Sequence, residues 1–75
     1  MRDLVEYIAK SIASNPDEVR VTEDYREGRK ILKLEVAAED KGKIIGRHGR
    51  VAQSIRLLIR VAAVKEGTRA VLEIV

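Results

Sequence analysis

Cysteine, phenylalanine and tryptophan are all absent from this chain, and proline, histidine and methionine occur once each. Without cysteine no disulfide framework exists, and with a single histidine a dedicated structural zinc site lacks its ligands. Tyr7 and Tyr25 are the whole aromatic complement. That is too few for a sheet that stacks bases on several exposed rings. No apolar run approaches the ~18 residues that span a bilayer. The start, Met1-Arg2-Asp3-Leu4-Val5-Glu6, lacks the apolar stretch of a secretory signal. A cytoplasmic protein of one domain, residues 1–75, is expected. Chains below about 70–80 residues usually need stabilisation beyond a thin core, which leaves idealised packing or self-association.

Acidic residues are also missing from one long stretch. Residues 41 to 65 contain seven basic side chains and no carboxylate, whereas residues 1 to 40 contain seven basic and ten acidic ones. The formal +3 of the chain is therefore a strongly positive block in a mildly acidic remainder. Charge sorted in this way points to a polyanion, with RNA foremost.

Leu4, Val5, Ile8, Ala9 and Ile12 recur at helical spacing and predict an amphipathic helix over 2–13, ended by Asn15-Pro16. Val19, Val21 and Tyr25 alternate along a strand at 18–26, and Leu32, Leu34 and Val36 along one at 30–37. Glu27-Gly28-Arg29 between them suits a tight hairpin, with Gly28 free to take positive φ. Lys41 to Ile45 reads as one helical turn. A longer helix follows from about Arg50 to Lys65, closed by Gly67, and Ala70 to Val75 is a β-branched strand. The order α-β-β-α-α-β predicts an α+β fold: a three-stranded mixed sheet with the last strand parallel to the second and helices packed on one face.

Gly46-Arg47-His48-Gly49 lies between the two helical segments. Glycines permit close backbone approach, and the next helix begins there with unpaired amides at the positive end of its dipole. A phosphate fits such a place, with Arg47, His48 and Arg50 around it. A lone G-x-x-G is common by chance; the flanking Ile44-Ile45, the bases and the element order give this one weight.

Residues 42 to 56, Gly42-Lys43-Ile44-Ile45-Gly46-Arg47-His48-Gly49-Arg50-Val51-Ala52-Gln53-Ser54-Ile55-Arg56, resemble the signature of a KH domain, whose G-x-x-G loop clamps a nucleic-acid backbone. The element order resembles the type II, bacterial arrangement. Nearly the whole chain is covered, as in the small single-KH proteins of the KhpA (YlqC) family. The resemblance implies binding of about four nucleotides of single-stranded RNA, a role as post-transcriptional regulator or RNA chaperone, and partnership with itself or a second KH protein. It makes Gly46 and Gly49 the loop glycines and Arg47 and His48 the pair that meets phosphate. Ile45, Val51, Ala52 and Ile55 take the apolar positions around the groove floor. Lys41, Lys43 and Arg56 add electrostatic attraction. Many KH domains carry a larger aliphatic residue where this chain has Ala52.

No cofactor, small-molecule substrate, metal ligand set or catalytic group is expected. His48 has no carboxylate or thiol near it in sequence, and Glu23-Asp24 and Glu39-Asp40 read as solvated charges at strand ends. On the long helix, Val51, Ile55, Leu58 and Ala62 form a stripe expected to face the sheet. Leu57, Val61 and Val64 form a second stripe, which either covers the N-terminal helix or serves as a dimer interface. A non-enzymatic single-stranded RNA-binding protein is the expected function. The alternative is a protein-interaction module that assembles a KH-containing complex, and single-stranded DNA is a third option, since no residue pattern reads the 2′-hydroxyl.

Overall fold

The computed structural model describes residues 1–75. Helix α1 spans Arg2–Ile12, strands β1 and β2 span Arg20–Arg26 and Arg29–Glu35, helices α2 and α3 span Lys41–Ile45 and Arg50–Lys65, and strand β3 spans Arg69–Ile74. Single 3₁₀ turns lie at Pro16–Glu18, Ala38–Asp40 and Arg47–Gly49. The expected order is present. β2 is central, antiparallel to β1 and parallel to β3.

The hairpin turn is tighter than Glu27-Gly28-Arg29. Arg26 pairs with Arg29, and both Glu27 (φ 51°) and Gly28 (φ 77°) are left-handed, as a two-residue type I′ turn requires. Helix α3 ends in a Schellman motif: Thr68 donates to the Ala63 carbonyl at 2.9 Å and left-handed Gly67 to that of Val64 at 3.0 Å.

Alternation puts Val21, Leu32, Leu34 and Leu72 on one face of the sheet, where Val5 and Ala9 of α1, Ile44 of α2, and Ile55 and Ile59 of α3 cover them. Each large aliphatic side chain taken out of water there contributes about 1.5–3 kcal/mol. Tyr25 shares that face by alternation but is exposed, because the hairpin end of β1 runs past the helices. The Arg2 guanidinium reaches across from α1 to donate to the Val21 carbonyl at 2.9 Å.

The face of α3 turned to the sheet differs from the expected one. It is Ala52, Ile55, Ile59 and Ala63 that are buried, while Leu58 is 49% exposed. Two apolar arcs overlap on this helix, and Ile59, which the first stripe omitted, sits at the centre of the buried one. Leu57 and Val61, two residues to either side of Ile59, each lie about 160° around the helix from it. The ridge Leu57, Val61 and Val64 therefore points directly away from the sheet, with exposures of 58%, 48% and 72%. It does not cover α1.

Glu39 and Asp40 do not behave as a pair of solvated charges. Asp40 is fully buried. Its two carboxylate oxygens accept the backbone N–H groups of Ser14 and Asn15, each at 3.0 Å, and the Asn15 amide bridges to Glu39 at 2.6 Å. These bonds fasten the turn after α1 to the residue immediately before α2. They also hold the Asp40 carboxyl below the usual carboxylate range, with the Ser14 amide the chief cause.

Candidate nucleic-acid interface

The link between α2 and α3 uses three positive-φ residues in four. Gly46 has φ 76° and ψ 173°, a region open essentially to glycine alone. His48 (φ 57°, ψ 25°) and Gly49 (φ 73°, ψ 13°) are both left-handed. The Gly46 amide donates to Gly42 at 2.8 Å and the Gly49 amide back to Gly46 at 3.1 Å, so the loop closes on itself. The two glycines serve different ends. A Cβ on Gly46 would collide with the side chain and backbone of Val51, whereas one on Gly49 would meet nothing within 4 Å. Gly46 permits internal packing; Gly49 leaves open space on the surface.

Gly49 also occupies the N-cap of α3, so no side chain caps the helix, and no acidic residue lies in its first turn. Arg50 stands there instead, at the end of the dipole where a cation is disfavoured. Arg47, His48 and Arg50 are exposed, and none of them forms an intramolecular ion pair. Positive charge is thus concentrated around the loop with no internal counter-charge.

Beside the loop lies a cleft of about 470 Å³, bounded by Lys41, Ile45, Gly49, Ala52, Gln53, Arg56 and Ile74. Ile45, Ala52 and Ile74 give it an apolar floor, and Lys41, Gln53 and Arg56 a polar rim. The small side chain at Ala52 makes room between α3 and β3. Of the residues expected at the site, Lys41, Ile45, Gly49, Ala52 and Arg56 line this cleft, and Gly46, Arg47, His48 and Arg50 form the adjoining loop. Val51 is half-buried and packs against Gly46. Ile55 is only 2% exposed; it underlies the cleft as core, because it falls on the sheet-facing arc of α3. Lys43 turns towards the turn after α1, where its ammonium donates to the Ser14 hydroxyl. Gln53 and Ile74 were missing from the sequence-based set. Gln53 lies one turn before Leu57 on an exposed face, and Ile74 enters only through the parallel pairing of β3 with β2, so neither carries a local signal.

A three-stranded mixed sheet covered by helices on one face, with a glycine-bracketed loop between two helices, defines a KH-type fold. The sequence places it more narrowly: residues 2–74 match the family model "KhpA/KhpB, KH domain", and the chain belongs to that family. It is 53% identical to the RNA-binding protein KhpA of Clostridium acetobutylicum over 75 residues, covering 100% of both chains. Identity is 47% to the protein of the same name from Clostridium perfringens, again over 100% of both. It is also 47% to that from Treponema pallidum, over 97% of this chain and 91% of the relative. No solved structure matches the chain.

Proposed function

We propose that this protein binds single-stranded RNA without chemistry of its own, holding the backbone against the Gly46–Gly49 loop and laying bases over the Ile45–Ala52–Ile74 floor. The observation that carries the reading is the loop itself: consecutive left-handed residues at an uncapped helix start, ringed by Arg47, His48 and Arg50 without internal counter-charge. A phosphate would satisfy the helix dipole and the arginines together. Lys41 and Arg56 at the cleft add attraction. The names of the relatives support RNA as the ligand; a cytoplasmic role in post-transcriptional regulation or RNA chaperoning is part of the same proposal.

Fluorescence anisotropy with a short single-stranded RNA tests it. Neutralising three or four phosphates gives a slope of log K against log salt of about −2 to −3. Replacing Arg47 and His48 by Asp places two negative charges where the phosphate would lie, on exposed side chains. Affinity should fall at least about tenfold with the melting temperature nearly unchanged. Unaltered affinity in that double variant rules the clamp out.

A second reading rests on the ridge Leu57, Val61 and Val64, which points into solvent. Exposed apolar ridges mark association surfaces. We assign this one to a two-fold contact with a second copy or with another KH protein, which would supply stabilisation that so short a chain lacks.

A further inference from the structure

Strand register assembles a second group of arginines at the opposite end of α3 from the glycine loop. Arg26 pairs with Arg29 across the hairpin, and Arg29 pairs with Arg69 across the parallel ladder. Registered neighbours project from the same face, so three arginines stand side by side across the three strands. Like charges placed directly opposite one another destabilise a sheet. Arg26 has a loose contact with Asp24 at 3.6 Å; Arg29 and Arg69 have no ion pair, and neither does Arg60 of α3. Glu66, just past the end of α3, is held by Lys30 at 3.2 Å, and Glu27 lies out on the hairpin tip.

Arg29, Arg60 and Arg69 all line one depression of about 380 Å³, with Thr68 at its wall: Arg60 from α3, Arg29 and Arg69 from the sheet face opposite the one that buries Leu32 and Leu72. This depression is linked to the cleft at the loop through shared lining residues. A shallow trough between α3 and β3 shares Arg56 with the cleft and Arg60, Ala70 and Val71 with the distal depression. From Gly49 to Val64 the trough follows α3 for about 22 Å at 1.5 Å per residue. Arg56 and Arg60 are one helical turn apart along its rim and link the two ends. That is one track with positive charge concentrated at each end.

We infer that Arg29, Arg60 and Arg69 form a second phosphate-binding site, which takes the backbone of the same RNA strand after it leaves the glycine-loop cleft. Guanidinium groups suit this because they meet phosphate oxygens bidentately. The strand crosses the edge of β3, where no other element covers the sheet, and the arginine row is neutralised when it arrives. The footprint is accordingly longer than the roughly four nucleotides that a KH cleft holds.

This inference rests on the RNA-binding reading, and RNA length separates the two. Anisotropy titrations use a four-nucleotide and a twelve-nucleotide single strand of one repeated base with the wild type and the triple variant Arg29→Gln, Arg60→Gln, Arg69→Gln. The longer RNA should bind the wild type more tightly, with a salt slope steeper by about 1.4 to 2 for two or three added phosphates. The triple variant should lose that added slope and about tenfold or more in affinity for the long RNA, while binding the short one as the wild type does. All three side chains are exposed, so its melting temperature should hold or rise as like charges are removed. If the short RNA fails to bind the wild type, the glycine-loop reading fails. If the short RNA binds and the triple variant holds the long one with wild-type affinity and slope, the distal site is overturned, and the arginine row belongs to a protein contact instead.

Discussion

Gly46 and Val51 are in contact such that a Cβ on the glycine would stand 2.9 Å from the valine's backbone nitrogen and closer still to its side chain. The start of α3 is folded directly onto the end of α2. This contact sets the angle between the two helices and thereby the position of Gly49, Arg50 and the cleft floor.

The two loop glycines should consequently fail in different ways. Gly46→Ala combines a forbidden φ/ψ region with an overlap against backbone, and should cost about 2–4 kcal/mol of stability. Gly49→Ala meets only the left-handed penalty, about 1–2 kcal/mol. Its methyl group, however, would project into the open space beside the cleft, so RNA affinity should fall several-fold in a protein that still folds. Urea denaturation read beside anisotropy separates the two effects, and equal denaturation midpoints would contradict the assigned division of roles.

Val61→Asp tests the ridge. It puts a charge at the centre of the Leu57, Val61 and Val64 patch, opposite the buried Ile59, so the fold of the monomer is untouched. Wild-type protein at tens of micromolar should scatter light as a dimer, and the variant as a monomer, its dissociation constant raised at least about tenfold by desolvation of the carboxylate. RNA binding should weaken without disappearing, because two linked sites gain from effective concentration. A wild type that is monomeric in that range would leave the ridge to a different protein partner.

Asp40 should make stability acid-sensitive. Its carboxyl in the folded protein lies below the ordinary value of 3.8, held there first by the Ser14 amide. The folded state therefore binds fewer protons than the unfolded one near that pH. The stabilisation is fully present above about pH 4 and is lost as the pH falls through the depressed folded value. Asp40→Asn keeps the shape but accepts at one oxygen only, and should melt at a lower temperature at pH 7. The gap between wild type and variant should narrow between about pH 4 and pH 2. A gap that stays constant over that range would mean that the carboxylate's charge contributes nothing.

The amino-acid sequence by itself determined what is local. Alternation at Leu32 and Leu34, the glycines at 28 and 67, and the helical spacing of Val5 and Ala9 specified the elements, since each depends on neighbours within a few residues. The acid-free stretch with Gly46-Arg47-His48-Gly49 specified where positive charge gathers around a glycine-bracketed turn. Tertiary structure alone decided the rest. Apolar residues surround so much of α3 that periodicity allowed either Leu58 or Ile59 to face inward, and the sheet chose Ile59. Glu39 and Asp40 were equivalent until the turn after α1, some 25 residues away in sequence, presented two amides to Asp40. The Arg26–Arg29–Arg69 row and the place of Ile74 in the cleft both depend on the register of β3 against β2. Register is a long-range choice, fixed by which faces must be buried together.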